Sequence, residues 1–177
     1  MRKLFLFAVF LGLICCKEIS YKEPQPKGKK SLTSIPNLLL GSYIIISAED
    51  GTKDTLIINS KGYMVASDLK QNSLGDSLVV KEYKGYYFVS INENPEWLLR
   101  IIKPEDDGNL TFMSMNTREE AFNALLTRLS QDDVEIDSIK SGNDTLYQID
   151  PTPRQLMKLI KQGYFNQKVR MLRISEK

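Results

Sequence analysis

Histidine is absent from all 177 residues, and cysteine occurs twice, at Cys15 and Cys16. Both cysteines close the first apolar run, so the body of the chain carries neither thiol nor imidazole. That excludes intramolecular disulfides, zinc sites built on Cys or His, haem ligation by His, and Cys–His or Ser–His nucleophilic catalysis. An excess of charge is missing too. Of 24 basic and 22 acidic residues, Arg2 and Lys3 lie in the N-terminal segment, which leaves 22 of each sign in the remainder. The charges are interspersed, so there is no electrostatic footprint for nucleic acid and no field to steer an anionic substrate. After residue 16 no run approaches the roughly 20 apolar residues that a membrane-spanning helix needs.

What is present begins with an address. Arg2 and Lys3 precede a continuous apolar run over 4–16, which is too short to span a bilayer and fits the h-region of a signal peptide. Leu13-Ile14-Cys15-Cys16 resembles the lipobox of bacterial lipoproteins, with Leu13 three residues before the cysteine and the small Cys15 directly before it. The resemblance implies that Cys16 is lipidated and becomes the mature N-terminus, and that the membrane is reached through that lipid. Lys17, where an Asp would favour retention at the inner membrane, implies an outer-membrane place in a bacterial envelope. Lys17-Glu18 is also similar to the start of surface-export signals in some lipoproteins.

Residues 17–34 carry Pro24, Pro26, Gly28 and a basic cluster at Lys27, Lys29 and Lys30, without apolar periodicity. They read as a solvated flexible tether. The expected organisation is therefore a signal over 1–16, a tether over 17–34 and one β-rich domain over 35–177. With 42% hydrophobic residues, that domain can build a core without staples.

The organising stretch is 37–115, a series of short apolar runs separated by turn signals. Strands are expected over 40–47, 54–58, 63–67, 77–83, 86–92, 97–102 and 110–115, with a polar loop over 68–75 and a break at Asn94-Pro95. Alternation is double-sided. Tyr87, Val89 and Ile91 share one face, while Tyr86 and Phe88 share the other. Both faces need cover, which predicts a mainly β, α+β fold: an antiparallel up-and-down meander curved into a sheet or small barrel, flanked by two C-terminal helices. Gly41-Ser42-Tyr43 is similar to the Gly-x-aromatic of the first strand in lipocalin-like barrels.

Thr117-Arg118-Glu119-Glu120 and Thr152-Pro153-Arg154-Gln155 read as capping boxes for helices over 117–130 and 153–162. Gly163 suits the position after the second helix. Residues 131–142 read mostly as loop, with Val134, Ile136 and Ile139 offering a short strand. Residues 145–149 and 168–174 return to strand character and are expected to complete the sheet.

Tyr43, Tyr86, Tyr87 and Trp97 are the candidate ligand-binding residues, as aromatics able to line a barrel mouth. The acidic turns at 105–109 and 132–137 are more readily solvated turns than calcium sites, because they lack the alternating ligand pattern. No paired carboxylates stand out for hydrolysis, and no cofactor is implied. The expected function is an envelope-anchored lipoprotein acting as a binding or accessory module for a small apolar ligand or an envelope protein. The alternative is a structural or inhibitory interaction lipoprotein without a cavity, and after that a carboxylate-dependent hydrolase. A filled sheet interior with an exposed apolar patch would favour the interaction protein.

Overall fold

The computed structural model describes residues 18–46, 51–93, 96–141 and 144–174. The expected signal over 1–16 with Cys16, and Asn94-Pro95, lie outside the described residues. Among those described, the elements are β1 (Ile19–Tyr21), β2 (Gly41–Ile46), β3 (Lys53–Asn59), β4 (Gly62–Val65), β5 (Gln71–Ser73), β6 (Leu78–Tyr83), β7 (Tyr86–Asn92), β8 (Trp97–Pro104), β9 (Leu110–Ser114), α1 (Glu119–Gln131), β10 (Ile136–Ser141), β11 (Asp144–Ile149), α2 (Pro153–Lys161) and β12 (Gln167–Arg173). The strands form one curved, unclosed sheet in the order β10-β11-β1-β8-β9-β12-β2-β3-β4-β5, with β6 and β7 on the other edge of β8. Pairing is antiparallel except between β1 and β11. The mainly β architecture with two helices is the one the turn and capping signals predict.

Strand β8 is the junction. From Trp97 to Ile102 it pairs with β7 along one edge. The other edge is shared, by β1 at Trp97 and by β9 from Ile101 onward. The sheet therefore forks, and its two faces bury separate cores. On the outer face, Phe88, Leu99, Ile101 and Met113 pack against Phe122, Leu125 and Leu129 of α1 and Leu156, Met157 and Leu159 of α2. On the inner face, Tyr87, Ile102 and Leu110 pack against Tyr43, Ile45, Leu56, Val65 and Met171. The double-sided alternation of β7 to β9 is thus met by helices outside and by the sheet's own curvature inside.

The curve stops short of a barrel because β5 and β6 do not pair. The chain before β2 spans that gap instead. Leu32 donates its N–H to the Val80 carbonyl at 2.8 Å, and Ile35 donates to Ser60 at 2.9 Å. Ile35 and Leu39 then seal the inner core from that side.

This overturns the expected tether over 17–34 and the domain boundary at 35. Ile19, Ser20 and Tyr21 are 3%, 1% and 2% exposed, between β11 and β8. Burying Ile19 alone is worth about 1.5–3 kcal/mol. The next residues run across the fold and are fixed there. Gln25 donates its N–H to Ser90 Oγ at 3.0 Å. The buried Lys81 ammonium donates to the carbonyls of Pro24 at 2.6 Å and Pro26 at 3.1 Å. Lys27 pairs with Asp150 at 2.5 Å, and Lys22 with Asp137 at 2.6 Å. Two prolines and four lysines read as solvated chain, but the proline carbonyls are acceptors, and Lys22, Lys27 and Lys29 meet Asp137, Asp150 and the Tyr83 ring.

Three local expectations also change. The polar loop over 68–75 contains β5, which pairs with β4. Gly62 permits this, because a Cβ there would stand 1.9 Å from the Asn72 carbonyl oxygen. The first capping box does not form. Arg118 is the N-cap of α1, without a side-chain bond to the helix, and its own N–H goes to Asn116 Oδ1 at 3.1 Å. Asn116 is in turn tied through its N–H to Asn166, so the approach to the helix is set before Thr117 is reached. Residues 136–141 take the strand alternative as β10.

The second capping box is present. Thr152 Oγ1 accepts from the Gln155 N–H at 3.3 Å, and Gln155 Oε1 accepts from the Thr152 N–H at 2.9 Å. At the other end Gly163 takes φ +77°, so the Tyr164 N–H can reach back to the Leu159 carbonyl at 3.0 Å. This turn delivers the Tyr164 hydroxyl to Asp132 at the end of α1, 2.5 Å from Oδ2, while Lys158 and Gln162 donate to Oδ1 at 3.0 Å each.

These bonds, the Tyr164 hydroxyl first, hold the Asp132 carboxyl down at about 2 from its ordinary 3.8. A carboxylate depressed in the folded state contributes stability that is full above 3.8 and is lost as the pH falls toward 2. Asp132→Asn should therefore destabilise the protein at neutral pH. Urea midpoints of variant and wild type should converge as the pH falls from about 4 to about 2. A gap that stays constant over that range would refute the assignment.

Candidate interaction face

The helices cover the outer face of the sheet only as far as β9, where Met113 is the last strand residue packed beneath them. Beyond it the outer face continues across β12, β2, β3 and β4. The pleat alternates on each strand. On β12, Met171 points into the inner core, so Lys168, Arg170 and Leu172 point outward. On β2, Tyr43 and Ile45 point in, and Ser42, Ile44 and Ile46 point out. On β3, Leu56 points in, and Lys53, Thr55 and Ile57 point out.

Register aligns these residues in rows. Leu172 lies opposite Ile44, and Ile44 opposite Thr55. Ser42 lies opposite Ile57, and Ile57 opposite Met64. Ile174 joins the second row by donating its N–H to the Ser42 carbonyl at 2.8 Å. The result is an apolar patch, with Ser42 and Thr55 set among its residues. Leu172, Ile174 and Ile46 are 39%, 40% and 40% exposed, and Ile44, Ile57 and Met64 are half-buried between them. Exposed Lys53, Lys168 and Arg170 border it, Arg170 paired with Asp107.

Arg173 makes this face rigid from behind. Its Nε donates to the Gly108 carbonyl at 2.9 Å, Nη1 to Leu40 at 2.7 Å, and Nη2 to Leu38 at 2.9 Å and to the Tyr43 hydroxyl at 2.5 Å. The guanidinium also stacks on the Tyr43 ring at 4.9 Å. One side chain thus ties β12, the approach to β2 and the β8–β9 turn, at the point where β12 passes from pairing with β9 to pairing with β2.

The four aromatics expected to line a pocket do not share one. Tyr43 and Tyr87 are buried in the inner core. Tyr86 and Trp97 are half-buried against the outer core, and Tyr86 packs at a tilt on Phe88 with centroids 6.4 Å apart. Tyr43 uses its hydroxyl internally, donating to the Leu39 carbonyl at 3.1 Å. Burial pushes the Tyr43 hydroxyl up despite Arg173 beside it.

A crevice of about 10 Å³ opens on the outer core, between Glu18, Tyr21, Arg100, Thr117 and Phe165. That is room for about one water. Four carboxylates of the acidic turns, Glu105, Asp107, Asp132 and Asp137, are engaged within the protein. Glu105 accepts from Thr111 and Lys103, Asp107 from Asn109 and Arg170. These bonds hold both below the usual carboxylate range.

The sequence signal for the outer face was the second apolar set interleaved with Tyr43 and Ile45, namely Ile44 and Ile46, together with Leu172 and Ile174. Sequence alone reads such a set as covered. No protein-family model, curated protein or solved structure matches this chain.

Arg173→Lys would keep the charge but cannot reach four acceptors in one plane. It should lower stability by roughly 1.5–3 kcal/mol, the range for hydrogen bonds to a charged group. Urea denaturation measures this. An unchanged midpoint would mean that the carbonyl cluster is held without Arg173.

Proposed function

We propose that the protein is a lipoprotein of the bacterial envelope, anchored to the outer membrane through Cys16, that works as a protein-interaction module. Its binding surface is the outer face of β12, β2, β3 and β4. The partner presents apolar side chains with carboxylates at their margin, to meet Lys53, Lys168 and Arg170. The observation that carries this reading is the pairing of a filled interior with an uncovered outer face. Tyr43 and Leu110 close the inner core at 0% and 1% exposure, which weighs against a small apolar ligand held inside the sheet. An exposed apolar patch on a sheet face, rimmed by charge, is a mark of a protein interface. The engagement of Glu105, Asp107, Asp132 and Asp137 within the protein weighs against their use by a hydrolase. Among the described residues no helix is long and apolar enough to cross a membrane, which accords with attachment by lipid.

A photo-crosslinking residue at Ile46 or Ile174, in the full chain in cells, tests the reading. A discrete protein adduct is expected from both positions. It should be lost when Leu172→Asp is added, and should not form from the exposed Gln162 on the helical side. Absence of adducts, together with stoichiometric binding of an apolar fluorophore that Leu172→Asp leaves unchanged, would instead favour a ligand carrier.

A further inference from the structure

We infer that the folded domain is held directly against the bilayer, without a spacer, and that the rim around Glu18 is the side that meets the lipid headgroups. This rests on the lipoprotein reading of Cys16 and adds the distance and the face. Glu18 Oε1 lies 2.6 Å from Arg100 Nη1, and the next three residues are woven into the sheet between β11 and β8. One residue, Lys17, separates Glu18 from Cys16. Two steps of extended chain reach at most roughly 7 Å. A multiply acylated cysteine keeps its chains in the hydrocarbon and its backbone at headgroup level. Glu18 and its neighbours therefore stand within a side chain's length of the headgroups.

The topology says which neighbours these are. Thr117, Met115 and Phe165 line the crevice beside Glu18, and the exposed Arg118 follows Thr117. A cation on that rim gains from anionic headgroups. From Glu18 the chain runs away from this rim, and Tyr21 lies opposite Trp97 at the beginning of β8. Asn92 also pairs with Trp97 and donates its N–H to the Ser77 carbonyl at 2.9 Å. The exposed Asp76 therefore lies at the far end of these strands.

The test uses the full chain purified from membranes, with the mass of its N-terminal peptide read first. Single variants Arg118→Cys and Asp76→Cys each take a fluorophore, because Cys16 is then blocked by its lipid. They are placed in phosphatidylethanolamine and phosphatidylglycerol vesicles that contain a lipid with a nitroxide on its headgroup. Strong quenching is expected at 118 and little at 76. A flexible Gly-Ser insert of about 20 residues between Lys17 and Glu18, with a mean reach of roughly 25 Å, should abolish the difference. Acylated protein whose two probes are quenched equally, with or without the insert, would overturn the inference and leave the lipoprotein reading standing. An unacylated Cys16 would bring down both.

Discussion

Three residues of extended backbone, Ile19–Tyr21, hold this fold together. Among the described residues, β1 is the strand that joins the β10–β11 hairpin to the rest of the sheet. Its N–H and C=O groups are shared between a parallel partner and an antiparallel one, and such groups cannot be left unpaired in an interior. Without β1, the hairpin would have no sheet to extend, and Ile149 and Tyr147 would lose their ladder partners Tyr21 and Ile19. The segment after β1 then carries the constraint to the opposite side. It crosses under Lys81, whose buried ammonium is held by proline carbonyls, and burial pulls that ammonium's pKa down. The same segment closes the gap that the curved sheet leaves open.

The fork at β8 divides the labour of the two faces. Helices bury the outer face of the central strands, and curvature buries the inner face. Cover is incomplete because two helices of 13 and 9 residues are too short to reach past β9. Leu172, Ile44, Ile46 and Ile57 on the outer side of β12, β2 and β3 stay apolar nonetheless. Arg173 fixes the strands beneath them, so the face is presented as a preorganised surface, which lowers the ordering cost of binding. Structure and proposed function connect at this link: the fold leaves uncovered a face on which the sequence keeps an apolar patch.

Much of this was legible in the sequence. The turns and double-sided apolar runs of 37–115 carried the meander, and Tyr86–Asn92 was placed to the residue. Thr152, Gln155 and Gly163 marked both ends of α2. What failed had local causes. Three residues are too few to show a period, so β1 was hidden in a segment whose prolines and lysines signal solvated chain. β5 is polar throughout, and only the close approach allowed at Gly62 reveals it. The Thr117 box met the right residue types, but Asn116 and Asn166 had already fixed the chain. The aromatic candidates were read as a group because they share chemistry. The pleat puts Tyr87 and Tyr86 on opposite faces, and that separation follows from alternation alone. The open outer face was the hardest to see, because where a helix stops covering a sheet depends on long-range packing.

Native-state hydrogen exchange at the amides of Ile19, Ser20 and Tyr21 tests the central claim most directly. If β1 is an inner strand, the amides donated to β11 and β8 exchange only on global unfolding, as slowly as those of Leu99 and Ile101 in the middle of β8. Exchange of all three at the rate of free chain, with β8 still protected, would show that the sheet stands without them and would contradict the account.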